Sequence, residues 1–293
     1  LWFIPAPTGL TENAWHFLAI FFAVVVGLIL EPVPAALVGF TGISLVALLG
    51  LMGSPKDGIS WALSGFSNSV IWLIFAAFMF ALGYKKTGLG KRVSLIMIKY
   101  MGKSSLGLGY AVAFSDLVLA PFMPSNTASS GGSVYPVAIN IPQIFDSHPD
   151  KDPRKLGAYI SWVAIATTCV TSSMFLTALA PNLLAVDLIS KTTGHAISWG
   201  EWAGIMLPLM IPMFLITPWL AYVIYPPTQK KSPEAPIWAA GELKTLGPVT
   251  FKEYLMGFLA VVALVLWIFG KEIGIDATTT AICVVSVMVL AIV

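Results

Sequence analysis

The chain has 293 residues, of which 57% are hydrophobic and 10% charged, with a mean hydropathy of +0.86. Soluble domains carry about 25% charged residues, so this composition excludes that class. A net charge of +2, from 16 basic and 14 acidic residues, gives no case for nucleic acid as a partner.

Taken in chain order, Leu1–Pro7 places Trp2 and Phe3 before Pro5 and Pro7, which reads as the interfacial exit of a preceding span. No basic flank or small-residue cleavage site marks a signal peptide there. Long apolar runs follow at Ala14–Leu30, Val33–Met52, Val70–Tyr84, Gly204–Tyr225, Leu255–Gly270 and Ala277–Val293. Runs of about 17–25 such residues match a hydrocarbon core roughly 30 Å thick. One buried core helix imitates one such run, but not the series. Both chain ends look cut, so the sequence is expected to be the first two-thirds of a longer protein.

The connector after Tyr84 carries Lys85, Lys86, Lys91, Arg92, Lys99 and Lys103 without an acid. Short loops this basic stay in the cytoplasm. Val70–Tyr84 is therefore expected to run inward, Val33–Met52 outward and Ala14–Leu30 inward. Lys91–Met101 interleaves Val93, Leu95, Ile96, Ile98 and Met101 with basic residues, as a helix lying along the interface does. A plain solvated connector is the alternative.

Ser104–Asp150 contains no Lys or Arg, although basic connectors flank it on both sides. It is expected to enter and leave on one side, as two spans or as one re-entrant hairpin. Its middle, Ala120-Pro121-Phe122-Met123-Pro124-Ser125-Asn126-Thr127, and the arm running through Pro136, Asn140 and Pro142 favour the hairpin. Prolines free backbone groups that hydrocarbon cannot satisfy, so such a segment survives only under protein or beside a water-filled cavity. At the tip, Ser125, Asn126 and Thr127 are good helix N-caps. They are also neutral donors at a helix N-terminus, a ready anion site when it points into the bilayer.

A second interruption begins at Thr171-Ser172-Ser173 and runs through Thr177 to Pro181-Asn182. Two polar breaks in one bundle predict a site assembled between them, with Thr177, Pro181 and Asn182 joining the tip residues around a substrate. A proline kink packed by Ser and Thr is the plainer reading. Asp116 is an acid in apolar surroundings and so a candidate coupling residue, unless it caps a helix or pairs with a basic connector. Asp187 is read as a helix-end pair with Lys191, and Glu31 as interfacial. Pro226–Lys252, with five prolines and four lysines, reads as a polar cytoplasmic linker. Cys169 and Cys283 read as small buried hydrophobes, and His16, His148 and His195 are too scattered for a metal site.

The Pro124-Ser125-Asn126-Thr127 tip, followed by Gly131-Gly132, Tyr135-Pro136 and Met174–Ala178 leading into Pro181-Asn182, resembles the divalent anion/sodium symporter family. Within it, Leu63–Asn68 and Lys86–Gly90 look like the branch of 2-oxoglutarate/malate translocators and citrate/tartrate antiporters. The resemblance covers essentially the whole chain. It implies an all-α polytopic membrane protein, an inverted-repeat transporter with a re-entrant hairpin and a broken helix, truncated here at both ends. The first repeat would occupy residues 1–225, with the hairpin at about 104–150 and the broken helix at about 156–190. A linker at 226–252 and the start of the second repeat at 253–293 would follow.

The resemblance further implies a homodimer working by elevator motion, in a bacterial inner membrane or a plastid inner envelope. Each hairpin tip would contact a substrate carboxylate, the second tip lying beyond Val293. In sodium-coupled members, the first ion is held at positions matching Ser125, Asn126 and, roughly, Thr171, Ser172 and Ser173. Two departures weigh against sodium here: a ligand position four residues before the tip serine is Pro121, and a glycine-rich break is Thr-Ser-Ser. The expectation is exchange of dicarboxylates such as malate, 2-oxoglutarate or succinate, or of citrate, without an enzymatic cofactor. A sodium-coupled symporter of the same fold is the first rival, and an ion channel or membrane-embedded enzyme the second. The spans carry no nucleophile–base set or metal-ligand cluster for the enzyme.

Overall fold

The computed structural model describes residues 1–292; the side chains of Pro55 and residues 127–130 lie outside the described set. The chain forms two compact units, Leu1–Ile71 and Trp72–Val293. In the first, α1 (Glu12–Leu30) starts where the Thr11 hydroxyl accepts the Ala14 N–H. The expected span Val33–Met52 is shorter: α2 (Ala35–Leu48) has 14 residues, about 21 Å at 1.5 Å each. Pro34 sets its start, and Gly50 and Gly53, at φ +62° and +112°, turn the chain after it. Ser54 and Asp57 then form a capping box that opens α3 (Pro55–Leu63). Ile20, Val46 and Leu51 make the core of this unit, with Phe17, Val24 and Trp61 packed against it.

The second unit begins within α4 (Ser69–Thr87) and continues through α5 (Leu89–Met101) and α6 (Ser105–Leu119). After a break the chain returns as a π-helical stretch (Thr127–Val134) and the short α7 (Tyr135–Ala138) and α8 (Asn140–Ile144). Then come α9 (Gly157–Met174), α10 (Ala180–Thr193), α11 (Trp199–Ile224), α12 (Glu234–Leu246), α13 (Phe251–Ile273) and α14 (Ala277–Ala291). Among the described residues, five helices are long and apolar enough to cross a membrane: Glu12–Leu30, Ser69–Thr87, Ser105–Phe122, Trp199–Ile224 and Phe251–Ile273. The chain is an integral, multi-pass membrane protein.

Both ends of the hairpin are tied to one short segment. The Ser105 N–H donates to Lys230 O and the Ser232 N–H to Lys103 O, while the Thr228 and Gln229 N–H groups donate to Arg154 O and Lys155 O. Chain entry and exit therefore lie together, as expected of either two antiparallel spans or one hairpin. The turn after α8 is closed by Ser147, whose hydroxyl donates to Asp152 O and accepts the Leu156 and Gly157 N–H groups. Lys151 sits 2.7 Å from Asp146 at this turn and holds that carboxyl below its ordinary range by hydrogen bond and charge.

Three expectations change at this basic end. The apolar stripe of α5, with Leu95 and Ile98 fully buried, meets α6 and α12, so protein covers the face expected to lie on lipid. The expected linker holds a 13-residue helix, α12, because Pro233 is its N-cap and Pro236 falls in its first turn, positions a helix tolerates. Arg92, read as one of the basic connector charges, is buried in an ion pair with Glu253 at 2.6 Å, and it also donates to Gly247 O and Pro248 O. Pairing most of the guanidinium fork is what makes such burial tolerable. Cys169 and Cys283, expected inside, are both exposed, as small apolar residues facing lipid can be.

Candidate functional site: two helix breaks packed together

The first break follows α6. Residues Ala120–Phe122 tighten into a 3-10 turn, Met123 is extended (φ −126°, ψ 101°), and the chain turns at Pro124-Ser125. Proline at 121 falls in the first positions of the 3-10 turn and at 124 on the bend, so neither removes an N–H that a helix needs. The return arm opens as a π-helix, a wide turn frequent at functional sites. Ser125 and Asn126 are half-buried. The side-chain oxygen Oδ1 of Asn126 is buried and has no hydrogen-bond partner among the described residues. Thr127, the third tip residue, has its side chain outside the described residues.

The second break follows α9. It lies at Phe175–Leu179, where Phe175 (φ −118°, ψ 138°) and Leu179 (φ −147°, ψ 128°) are extended around a 3-10 turn at Leu176–Ala178. Thr171, Ser172 and Ser173, expected to open the break, complete the last turn of α9. The Ser172 and Ser173 hydroxyls donate back to the Cys169 carbonyl, so these side chains are used within the helix they end. Pro181 sits in the first turn of α10, where its missing N–H costs nothing.

The two breaks touch. The Ala180 N–H donates to Pro124 O at 2.9 Å, and Thr177 Oγ1 donates to Pro121 O at 2.5 Å while accepting Trp199 Nε1–H at 3.2 Å. The Asn182 amide donates to Ser172 O (2.8 Å) and Phe175 O (3.3 Å), bridging the second break from its far side. Trp202 Nε1–H takes Ser173 O at 3.2 Å. The Ser172 and Ser173 carbonyls at the end of α9 thus accept side-chain N–H donors.

Asp116 is 3% exposed. Its carboxylate accepts the Thr168 hydroxyl at 3.1 and 3.2 Å and also the Thr171 hydroxyl. It joins the hairpin arm α6 to α9 one helix turn ahead of the second break. Asp187 pairs with Lys191 at 2.7 Å, as read from the sequence. Behind the breaks, Ala113, Val170, Met174 and Phe214 form a core with Phe114, Phe175 and Met210 packed against it. Trp199 stacks on Phe175 and on Trp267, and Trp267 stacks on Phe122. This aromatic wall joins both breaks, and sequence reading missed it. Its only signal was the Ser198–Glu201 capping box that places Trp199 at the start of α11.

The family described as sodium:sulfate symporter transmembrane region matches residues 1–293. The chain belongs to this family, the divalent anion/sodium symporters. It is similar to proteins named L-tartrate/succinate antiporter from Escherichia coli strain K12, Escherichia coli O157:H7 and Shigella sonnei, each 50% identical over 301 residues and 98% of this chain. The chain spans 62% of the length of these relatives. The family is one of transporters, and the similarity falls in the citrate/tartrate antiporter branch expected from the sequence.

Proposed function

We propose that this chain carries the first half of the substrate site of a dicarboxylate exchanger, with Ser125, Asn126 and Thr127 as the carboxylate-facing group. The Asn126 side chain carries the reading, its Oδ1 being buried and without a partner among the described residues. An amide oxygen accepts, so what Oδ1 lacks among the described residues is a donor, such as a substrate hydroxyl, while the NH2 of the same amide is the group that would donate to a carboxylate. The relatives' names support short dicarboxylates, with succinate and tartrate first; malate shares their four-carbon backbone, 2-oxoglutarate is one carbon longer and citrate carries a third carboxylate. The same reading takes the hairpin, α9 and α10 as the moving part of an elevator in a homodimer.

Exchange without sodium is the second part of the proposal. The carbonyls of Ser172, Ser173 and Phe175 are engaged by Asn182 and Trp202, and the Thr171 hydroxyl by Asp116. Each of these carbonyls already accepts at least one N–H, which leaves fewer lone pairs for a cation that needs several oxygens at once. Pro121 adds no side-chain oxygen, and its carbonyl holds Thr177. The test is uptake of labelled succinate into proteoliposomes of the full-length protein. The expected result is uptake that needs internal dicarboxylate and is unchanged when sodium is replaced by choline. Sodium-dependent uptake into vesicles lacking counter-substrate would make it a symporter.

A further inference from the structure

We propose that the groove between the start of α9 and the end of α11 is a binding site for an anionic phospholipid. Ala158, Tyr159 and Trp162 from α9 and Ala221, Ile224 and Tyr225 from α11 line a cavity of about 400 Å³. Trp162, Ile224 and Tyr225 are exposed, while Tyr159 forms the buried floor, its hydroxyl donating to Pro218 O at 3.1 Å. The groove follows roughly one turn of each helix, about 6 Å, which suits the upper part of an acyl chain.

Two cations stand at the groove's basic end. The Arg154 guanidinium lies 5.1 Å from the Tyr225 ring centre, and Lys230 Nζ lies 4.5 Å from that of Tyr222. Tyr222 packs edge-on against Tyr159 at 5.8 Å, so both cation-bearing rings border the groove. The backbone fixes this pairing, because Thr228 and Gln229 hydrogen-bond along Arg154 and Lys155. An aromatic face holds a cation in place without cancelling its charge. Among the described residues, no carboxylate forms an ion pair with Arg154 or Lys230. Two held but uncompensated cations above an apolar, lipid-facing slot match a phosphate above an acyl chain. Aromatic and basic side chains of this kind mark the membrane–water interface, and basic pockets between helices on the cytoplasmic side take anionic head groups. A free phosphate would use the cations and leave the groove empty; the phospholipid uses both.

The test uses full-length protein in phosphatidylcholine nanodiscs doped with brominated phosphatidylglycerol or brominated phosphatidylcholine. The fluorescence difference between wild type and Trp162→Phe isolates Trp162 from the other tryptophans. Brominated phosphatidylglycerol is expected to quench Trp162 at a mole fraction roughly fivefold or more below that needed for brominated phosphatidylcholine. Arg154→Gln with Lys230→Gln should make the two lipids equal. Ala158→Phe, which fills the groove and keeps both cations, should remove the preference as well. Equal quenching in wild type, a preference that survives either variant, or no quenching because the rest of the full-length chain covers the groove would each overturn the proposal.

Discussion

The two helix breaks look alike in sequence and differ in what their polar groups do. Around the second, at Phe175–Leu179, the described polar side chains are used within the protein: Thr177 holds Pro121 O, Asn182 spans Ser172 O and Phe175 O, and Trp199 and Trp202 donate to Thr177 and Ser173. At the first, the buried Asn126 Oδ1 is left unpaired among the described residues. On the function proposed above, mutually satisfied groups make the second break a strut that holds the first in position, and the buried acceptor left unmet at the first leaves a place for a ligand.

The largest expected effect breaks the ligand's contact. Asn126→Ala should lower exchange by roughly 10- to 100-fold, the range for one hydrogen bond to a charged partner, with expression and melting temperature unchanged. Normal exchange would reduce the tip to a helix cap. Thr177→Val should act the other way round. It leaves Pro121 O without its hydroxyl donor and Trp199 Nε1–H without an acceptor, costing about 1–3 kcal/mol of stability, read as a lower melting temperature. Its KM for succinate should stay within about twofold of wild type, since one hydrogen bond to substrate would be worth more than that. Lys191→Gln, at the far end of α10 and 63% exposed, should change stability by less than about 0.5 kcal/mol and exchange not at all.

The contrast between the breaks was only half legible in the sequence. Pro121, Pro124 and the Ser125–Thr127 tip announce the first, because prolines and capping residues act locally and need no partner to stop a helix. The second was read as running from Thr171 to Asn182, which contains it but starts it one turn too early. The side chains of Thr171, Ser172 and Ser173 satisfy themselves on carboxyl groups and carbonyls nearby, so the helix runs on to Met174. What extends Phe175 and Leu179 is contact with distant parts of the chain, Trp199 and Pro121 among them, and no local pattern encodes it. The same reason hid the aromatic wall and α12. A helix that begins on Pro233 and leans on α5 owes its stability to packing, while its composition alone reads as a linker. That Ser104–Asp150 leaves and returns at one end was legible because its lack of basic residues and its basic flanks both follow from where charge can sit in a membrane.

The most direct test of the division of labour is the shift in melting temperature that saturating succinate produces in full-length protein, compared across wild type, Asn126→Ala and Thr177→Val. Ligand binding to the folded state raises stability with the logarithm of ligand concentration over Kd. The account predicts that Asn126→Ala melts like wild type without ligand and loses most of the succinate shift, while Thr177→Val melts lower and keeps the shift in full. A succinate shift retained in Asn126→Ala but lost in Thr177→Val would contradict it, and would make the second break the one that meets the substrate.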